Sequence, residues 1–115
     1  MNKGDIVLVR FPFTDFGGSK LRPAVVLVPE NDYGDICLAF ITSKTTESDE
    51  TKLDGLIIDE REKEFARTGL KTSSMIMAGK IVTLQKRLIA GKIGSLSGGR
   101  IKKLNKILKQ IFQIK

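Results

Sequence analysis

Two short apolar runs, PAVVLV from Pro23 to Val28 and ICLAFIT from Ile36 to Thr42, constrain this chain more than anything else in it. Each is short, continuous and rich in β-branched residues, the pattern of a strand covered on both faces. The connection from Pro29 to Asp35 carries Pro, Asn, Asp and Gly, so the two runs are expected to pair as a hairpin. Arg22 precedes Pro23, whose ring disfavours helical backbone at the residue before it. Arg22 is thus expected to lie extended at the mouth of a core strand. Thr42 ends the partner strand and brings a hydroxyl near that guanidinium. Upstream, Gly17 and Gly18 permit a sharp turn that puts Ser19 and Lys20 at an exposed loop tip.

With 115 residues, 41% of them hydrophobic, the chain is long enough for one modest core and is read as a single domain over 1–115. No apolar run approaches the roughly 18 residues of a membrane helix. The opening MNKGDIVLV goes straight into a strand without the apolar segment of a signal peptide, so a cytoplasmic protein with no membrane association is expected. Cys37 is the only cysteine and reads as a small core residue. The chain has no histidine, which excludes a His-His acid–base pair, a His-activated nucleophile and His-based metal sites. A Cys-rich zinc site is excluded as well. A carboxylate-only Mg²⁺ site stays open on composition, although the acids show no recognisable ligand spacing.

Charge is divided along the chain. All 13 acidic residues fall within residues 1–64, whereas residues 65–115 hold 12 of the 20 Lys and Arg residues and no acid. A one-sided positive field of this kind attracts nucleic acid or an acidic protein. A merely solvated basic face is the plainer alternative.

In order, Gly4–Phe11 predicts a largely buried strand, Ile6 and Leu8 pointing one way, Val7 and Val9 the other. Pro12 ends it. Residues 43–54 are polar and acidic and read as a long surface loop. Leu56–Ile58 predicts a short strand, and Asp59–Phe65 one helical turn. Ser73–Ala78 and Lys80–Leu84 predict one strand bent at Gly79. A tight turn or short helix at Lys86–Leu88 and a weak strand at Ile89–Ile93 follow. Ser97 is placed to cap a final helix over Gly99–Gln113. Its stripe of Ile101, Leu104, Ile107, Leu108 and Ile111 faces either the core or a dimer partner. The expected class is mainly β with a C-terminal α-helix, in the form of a small, strongly curved antiparallel barrel.

The ordered segments GDIVLVRFPF, GGSKLRPAVVLV, LAFITSK, GLKTSSMI and KIVTLQKRLI make the chain resemble, over nearly its whole length, the PemK/MazF family of type II toxin–antitoxin endoribonuclease toxins. The resemblance implies an SH3-like barrel, a homodimer with an RNA groove along its interface, and sequence-specific cleavage of single-stranded RNA such as mRNA. It also implies inhibition by a small acidic antitoxin, DNA binding by the toxin–antitoxin complex, and neither metal nor cofactor. By the same resemblance the catalytic residues are Arg22 and Thr42, with Ser19, Lys20, Ser43 and Lys80 contacting RNA.

Metal-free RNA cleavage uses the 2′-hydroxyl as nucleophile and needs a proton acceptor, a proton donor and positive charge at the developing phosphorane. Arg22, planar and always charged, suits the last role. Thr42 can hold the scissile phosphate or the ribose hydroxyl. Simpler roles are a surface salt bridge from Arg22 to Asp15 or Asp32, and an ordinary strand-end hydroxyl for Thr42. The chain departs from the family pattern where many members carry an acid and, two positions earlier, an arginine. Here those positions fall on Gly79 and Met77, neither of which exchanges protons. The general base is left unassigned. A catalytically weak or inactive barrel that binds RNA or a protein target is therefore the alternative reading. An aromatic content of 6% argues against a further reading, a general RNA-binding barrel of the translation apparatus, because such readers stack single-stranded bases on exposed rings.

Overall fold

A computed structural model of the protein describes residues 1–10, 20–43 and 54–115. The expected end of the first strand at Pro12, the Gly17-Gly18 turn, Ser19, Asp15 and most of the acidic loop lie outside these residues.

Six strands form one antiparallel sheet: β1 (Asp5–Arg10), β2 (Leu21–Val28), β3 (Asp35–Thr42), β4 (Gly55–Ile58), β5 (Ser74–Gln85) and β6 (Ile89–Ser95), in the order β4-β5-β3-β2-β1-β6. A C-terminal helix, α1, covers Gly98–Ile111. The hairpin expected from the two apolar runs is present, with Ala24 opposite Phe40 and Val26 opposite Leu38. Alternation along the strands divides the core between two faces. Ile6, Val25, Leu27, Ala39, Ile41, Ile76 and Ala78 pack with Leu96 and Leu104 on one, and Val7, Val9, Ala24, Val26, Ile36 and Leu38 on the other. This is why the β2 run carries no polar residue between Ala24 and Val28.

Ser97 caps α1 as its sequence predicts, its Oγ accepting from the Arg100 backbone N–H at 3.3 Å. The apolar stripe faces the core: Leu104 is fully buried, and Ile101, Ile107, Leu108 and Ile111 pack against the same cluster. Lys102, Lys103, Lys106 and Lys109 stand off that stripe, and all four are exposed.

Ladder irregularities occur in the β1–β6, β2–β3 and β3–β5 pairs, and each bends the sheet. In β5, Ile76 pairs with Ile41 and Ile81 with Ala39, so residues 77–80 all stand across from Phe40. This irregular stretch includes Gly79, where the sequence predicts the bend. The barrel, however, is not closed by a ladder, because β4 and β6 are the outer strands of the described sheet. The turn before β5 packs on β6 instead. A Cβ on Gly69 would overlap the Ile93 carbonyl, and one on Gly94 would overlap the Thr68 backbone. The two backbones touch where a side chain would hold them apart. Gly69 also has φ 72°, a left-handed conformation that favours glycine.

The helical turn expected over Asp59–Phe65 lies later, as a 3-10 turn at Phe65–Thr68. Asp59 explains the shift. Its Oδ1 accepts from the Arg61 N–H at 2.9 Å and its carbonyl from the Glu62 N–H at 3.0 Å, which closes a tight turn and delays helical geometry.

Candidate active site

At the ends of β2 and β3 the sheet opens into a cleft of about 850 Å³. Leu21, Arg22 and Pro23 line it from β2, and Phe40, Ile41, Thr42 and the following Ser43 from β3. Gly69 to Thr72 line it from the turn before β5, with Ser74, Met77 and Lys80 from β5 itself. Leu8, Lys20 and Ile93 complete the wall.

Arg22 is held extended by its ladder position opposite Val9, as the following proline requires, and it is exposed. Continuing the Ala24–Phe40 register by two residues brings Arg22 level with Thr42, which itself pairs with Met75. Lys20, Arg22, Thr42, Ser43 and Lys80, all chosen from sequence, thus border one cleft. Ser19 lies outside the described residues. Arg22 makes no ion pair to Asp32, and Asp15, the other partner suggested for it, lies outside the described residues.

Lys71 and Thr72 also line the cleft and were not singled out by sequence. They belong to GLKTSSMI, a segment that carries part of the family resemblance but gives neither residue a role. Their segment is fixed by a small network. Thr72 Oγ1 donates to Glu60 Oε2 at 3.2 Å, Ser73 Oγ accepts from the Glu60 N–H at 2.8 Å, and Ser74 Oγ donates to the Thr72 carbonyl at 2.9 Å. The turn that seats Gly69 on β6 therefore also delivers a lysine to the cleft.

The cleft is basic. Lys20, Arg22, Lys71 and Lys80 border it, and none of its described lining residues is acidic. Hydroxyls of Thr42, Ser43 and Thr72 lie among these cations, and Leu8, Phe40, Ile41, Met77 and Ile93 supply apolar surface. Such a lining suits a polyanion whose phosphates meet charge and hydroxyls while flatter, less polar parts meet the apolar wall. Met77, at the position where the family resemblance places an arginine in many members, is a wall residue that offers a thioether. Among the described residues no cluster of His, Cys, Asp or Glu is placed to hold a metal ion. Among them, too, no helix is long and apolar enough to cross a membrane.

No curated protein sequence matches the chain. Solved structures do match in fold. A Mycobacterium tuberculosis toxin, MazF-mt6, superposes with a TM-score of 0.73 at 17% identity, covering 96% of this chain and 98% of its own. An endoribonuclease in complex with its cognate antitoxin, from a mycobacterial species, superposes with a TM-score of 0.72 at 13% identity, covering 98% and 95%. At such identities the likeness shows the fold. The family model for PemK-like, MazF-like toxins matches residues 2–112. A chain matched over that span, with this open six-stranded sheet and terminal helix, belongs to the PemK-like, MazF-like toxins of type II toxin–antitoxin systems.

Proposed function

We propose that the protein is an endoribonuclease that cuts single-stranded RNA at a preferred sequence through attack of the 2′-hydroxyl, without a metal ion. One observation carries this reading: Arg22 and Thr42 border a single cleft with Lys20, Lys71 and Lys80, and no described lining residue is acidic. A wall of cations and hydroxyls binds phosphate directly, whereas a metal-dependent nuclease needs carboxylates there to hold its ions. In this mechanism Arg22 bridges the non-bridging oxygens of the scissile phosphate and stabilises the charge that grows on them in the phosphorane. Thr42 donates to the same phosphate or fixes the ribose hydroxyl. Lys20, Lys71 and Lys80 hold neighbouring phosphates, with Ser43 and Ser19 adding hydroxyls.

The chain acts as one cytoplasmic toxin domain, as a homodimer, and is restrained by a small acidic antitoxin. Its basic second half complements such a partner. A structural relative described as an endoribonuclease in complex with its cognate antitoxin supports that pairing. The test is incubation of the purified protein with a long single-stranded RNA in EDTA, followed by mapping of the cut ends. Cuts at a recurring short motif are expected, and they should vanish in Arg22→Ala.

Met77 in the cleft wall and Gly79 beside it favour a second reading, a barrel that binds RNA or a protein target without cutting. Intact RNA after incubation with folded, antitoxin-free protein would select it.

A further inference from the structure

The reaction proposed above lacks a proton acceptor. Among the described lining residues the polar side chains are one guanidinium, lysine amines and the hydroxyls of Thr42, Ser43, Thr72 and Ser74, with no carboxylate or imidazole to act as a base. A carboxylate does stand next to the wall, and it comes from the turn that leads into β4. Asp54 immediately precedes β4. Its backbone is anchored to β5, the Ala78 N–H donating to its carbonyl at 2.8 Å, with Gly55 opposite Met77. Its side chain lies over Gly79. A Cβ built on Gly79 would overlap Asp54 Oδ2 and sit 3.2 Å from its Cγ. Gly79 in turn lies between Met77 and Lys80, both of which line the cleft. Among the described residues the Asp54 carboxylate is exposed and has no hydrogen-bond or ion-pair partner. The missing side chain at 79 is thus the space that the carboxylate of Asp54 occupies.

We infer that Asp54 is the proton acceptor of the cleavage reaction, presented to the cleft through the gap left by Gly79; this rests on the nuclease reading. The 2′-oxygen forms its bond to phosphorus while its proton passes to a carboxylate oxygen of Asp54. The bond from phosphorus to the 5′-oxygen then breaks, and that oxygen takes a proton from solvent. The products are a 2′,3′-cyclic phosphate and a 5′-hydroxyl. Arg22 carries the phosphorane charge, so acid–base work and charge stabilisation come from separate segments of the chain.

The experiment compares wild type, D54N, G79A and D54N/G79D in single-turnover cleavage of one RNA in EDTA. Affinity is measured in parallel on the same sequence with 2′-O-methyl riboses, and folding by thermal unfolding. D54N is expected to cut about 100-fold or more slowly, the usual contribution of a general base, with affinity unchanged or slightly tighter because a negative charge has gone. G79A should also slow cleavage, since its methyl displaces the carboxylate. D54N/G79D, which returns a carboxylate from β5, should recover at least about tenfold of the lost rate. Wild type that cuts while D54N cuts equally fast overturns this inference and spares the nuclease reading. Wild type that leaves the RNA intact overturns both.

Discussion

Arg22 and Thr42 line one cleft from adjacent antiparallel strands, the first near the start of β2 and the second at the end of β3. Their proximity comes from the hairpin register, so it is as rigid as the sheet. Neither residue contributes to the buried core. Arg22→Ala should therefore cut cleavage by about 100- to 1,000-fold, the usual cost of one donor to a developing oxyanion. It should leave stability within about 0.5 kcal/mol of wild type. Arg22→Lys should recover only part of the rate, because an ammonium lacks the planar fork. Single-turnover kinetics and a urea titration check both halves.

Lys71 borders the cleft without an ion pair among the described residues. Lys71→Gln should weaken RNA binding by a similar factor for every sequence tested. It should also lower the slope of log affinity against log salt by about 0.7, the counterion release of one contact to a single strand. Wild-type affinity should itself fall steeply with salt. A slope identical in wild type and Lys71→Gln would remove Lys71 from the RNA footprint.

Gly69 couples the closure of the fold to the cleft, because it lines the cleft and also touches the β6 backbone at Ile93. Gly69→Ala adds left-handed strain and a clash with a carbonyl that cannot move aside. A loss of about 2–4 kcal/mol is expected, with cleavage impaired beyond what the unfolded fraction explains. Denaturant unfolding alongside activity separates the two effects.

Arg100 ties α1 to the sheet. Its side chain is 7% exposed; the guanidinium pairs with Glu62, and Nη1 donates to the Ile57 carbonyl at 3.1 Å. Glu62→Ala removes the counter-charge of a buried cation. Because the Glu62 side chain is itself 49% exposed, water screens the pair, and the expected cost is about 1–2 kcal/mol rather than the larger figure for a fully buried pair. The urea midpoint should fall accordingly.

Asp59 is held at about 2 against an ordinary 3.8, first because the Arg61 side chain hydrogen-bonds its carboxylate and next because the Arg61 backbone N–H does. The folded value lies below the unfolded one. Its stabilising contribution is therefore complete above about pH 4 and is lost as pH falls towards 2. Asp59→Asn should flatten the stability profile in that window and leave the profile between pH 5 and 7 unchanged. Urea midpoints at pH 5 and pH 2.5 are the measurement.

The sequence determined what local rules can carry. The two apolar runs had to be strands covered on both faces, and Ser97 with its stripe had to begin an amphipathic helix. Pro23 forced Arg22 into extended backbone, and the separation of charge set a basic second half. Contacts between segments far apart in the chain were left to the tertiary structure. Local polarity could not show that Asp59 would delay the helical turn to Phe65, or that Gly69 and Gly94 would let a turn rest on β6 where barrel closure was expected. Only the folded sheet brought Lys71 to the cleft and laid Asp54 over Gly79, because both depend on how separate backbones approach each other. A glycine in a sequence marks room; what fills the room is decided by the strand that packs beside it.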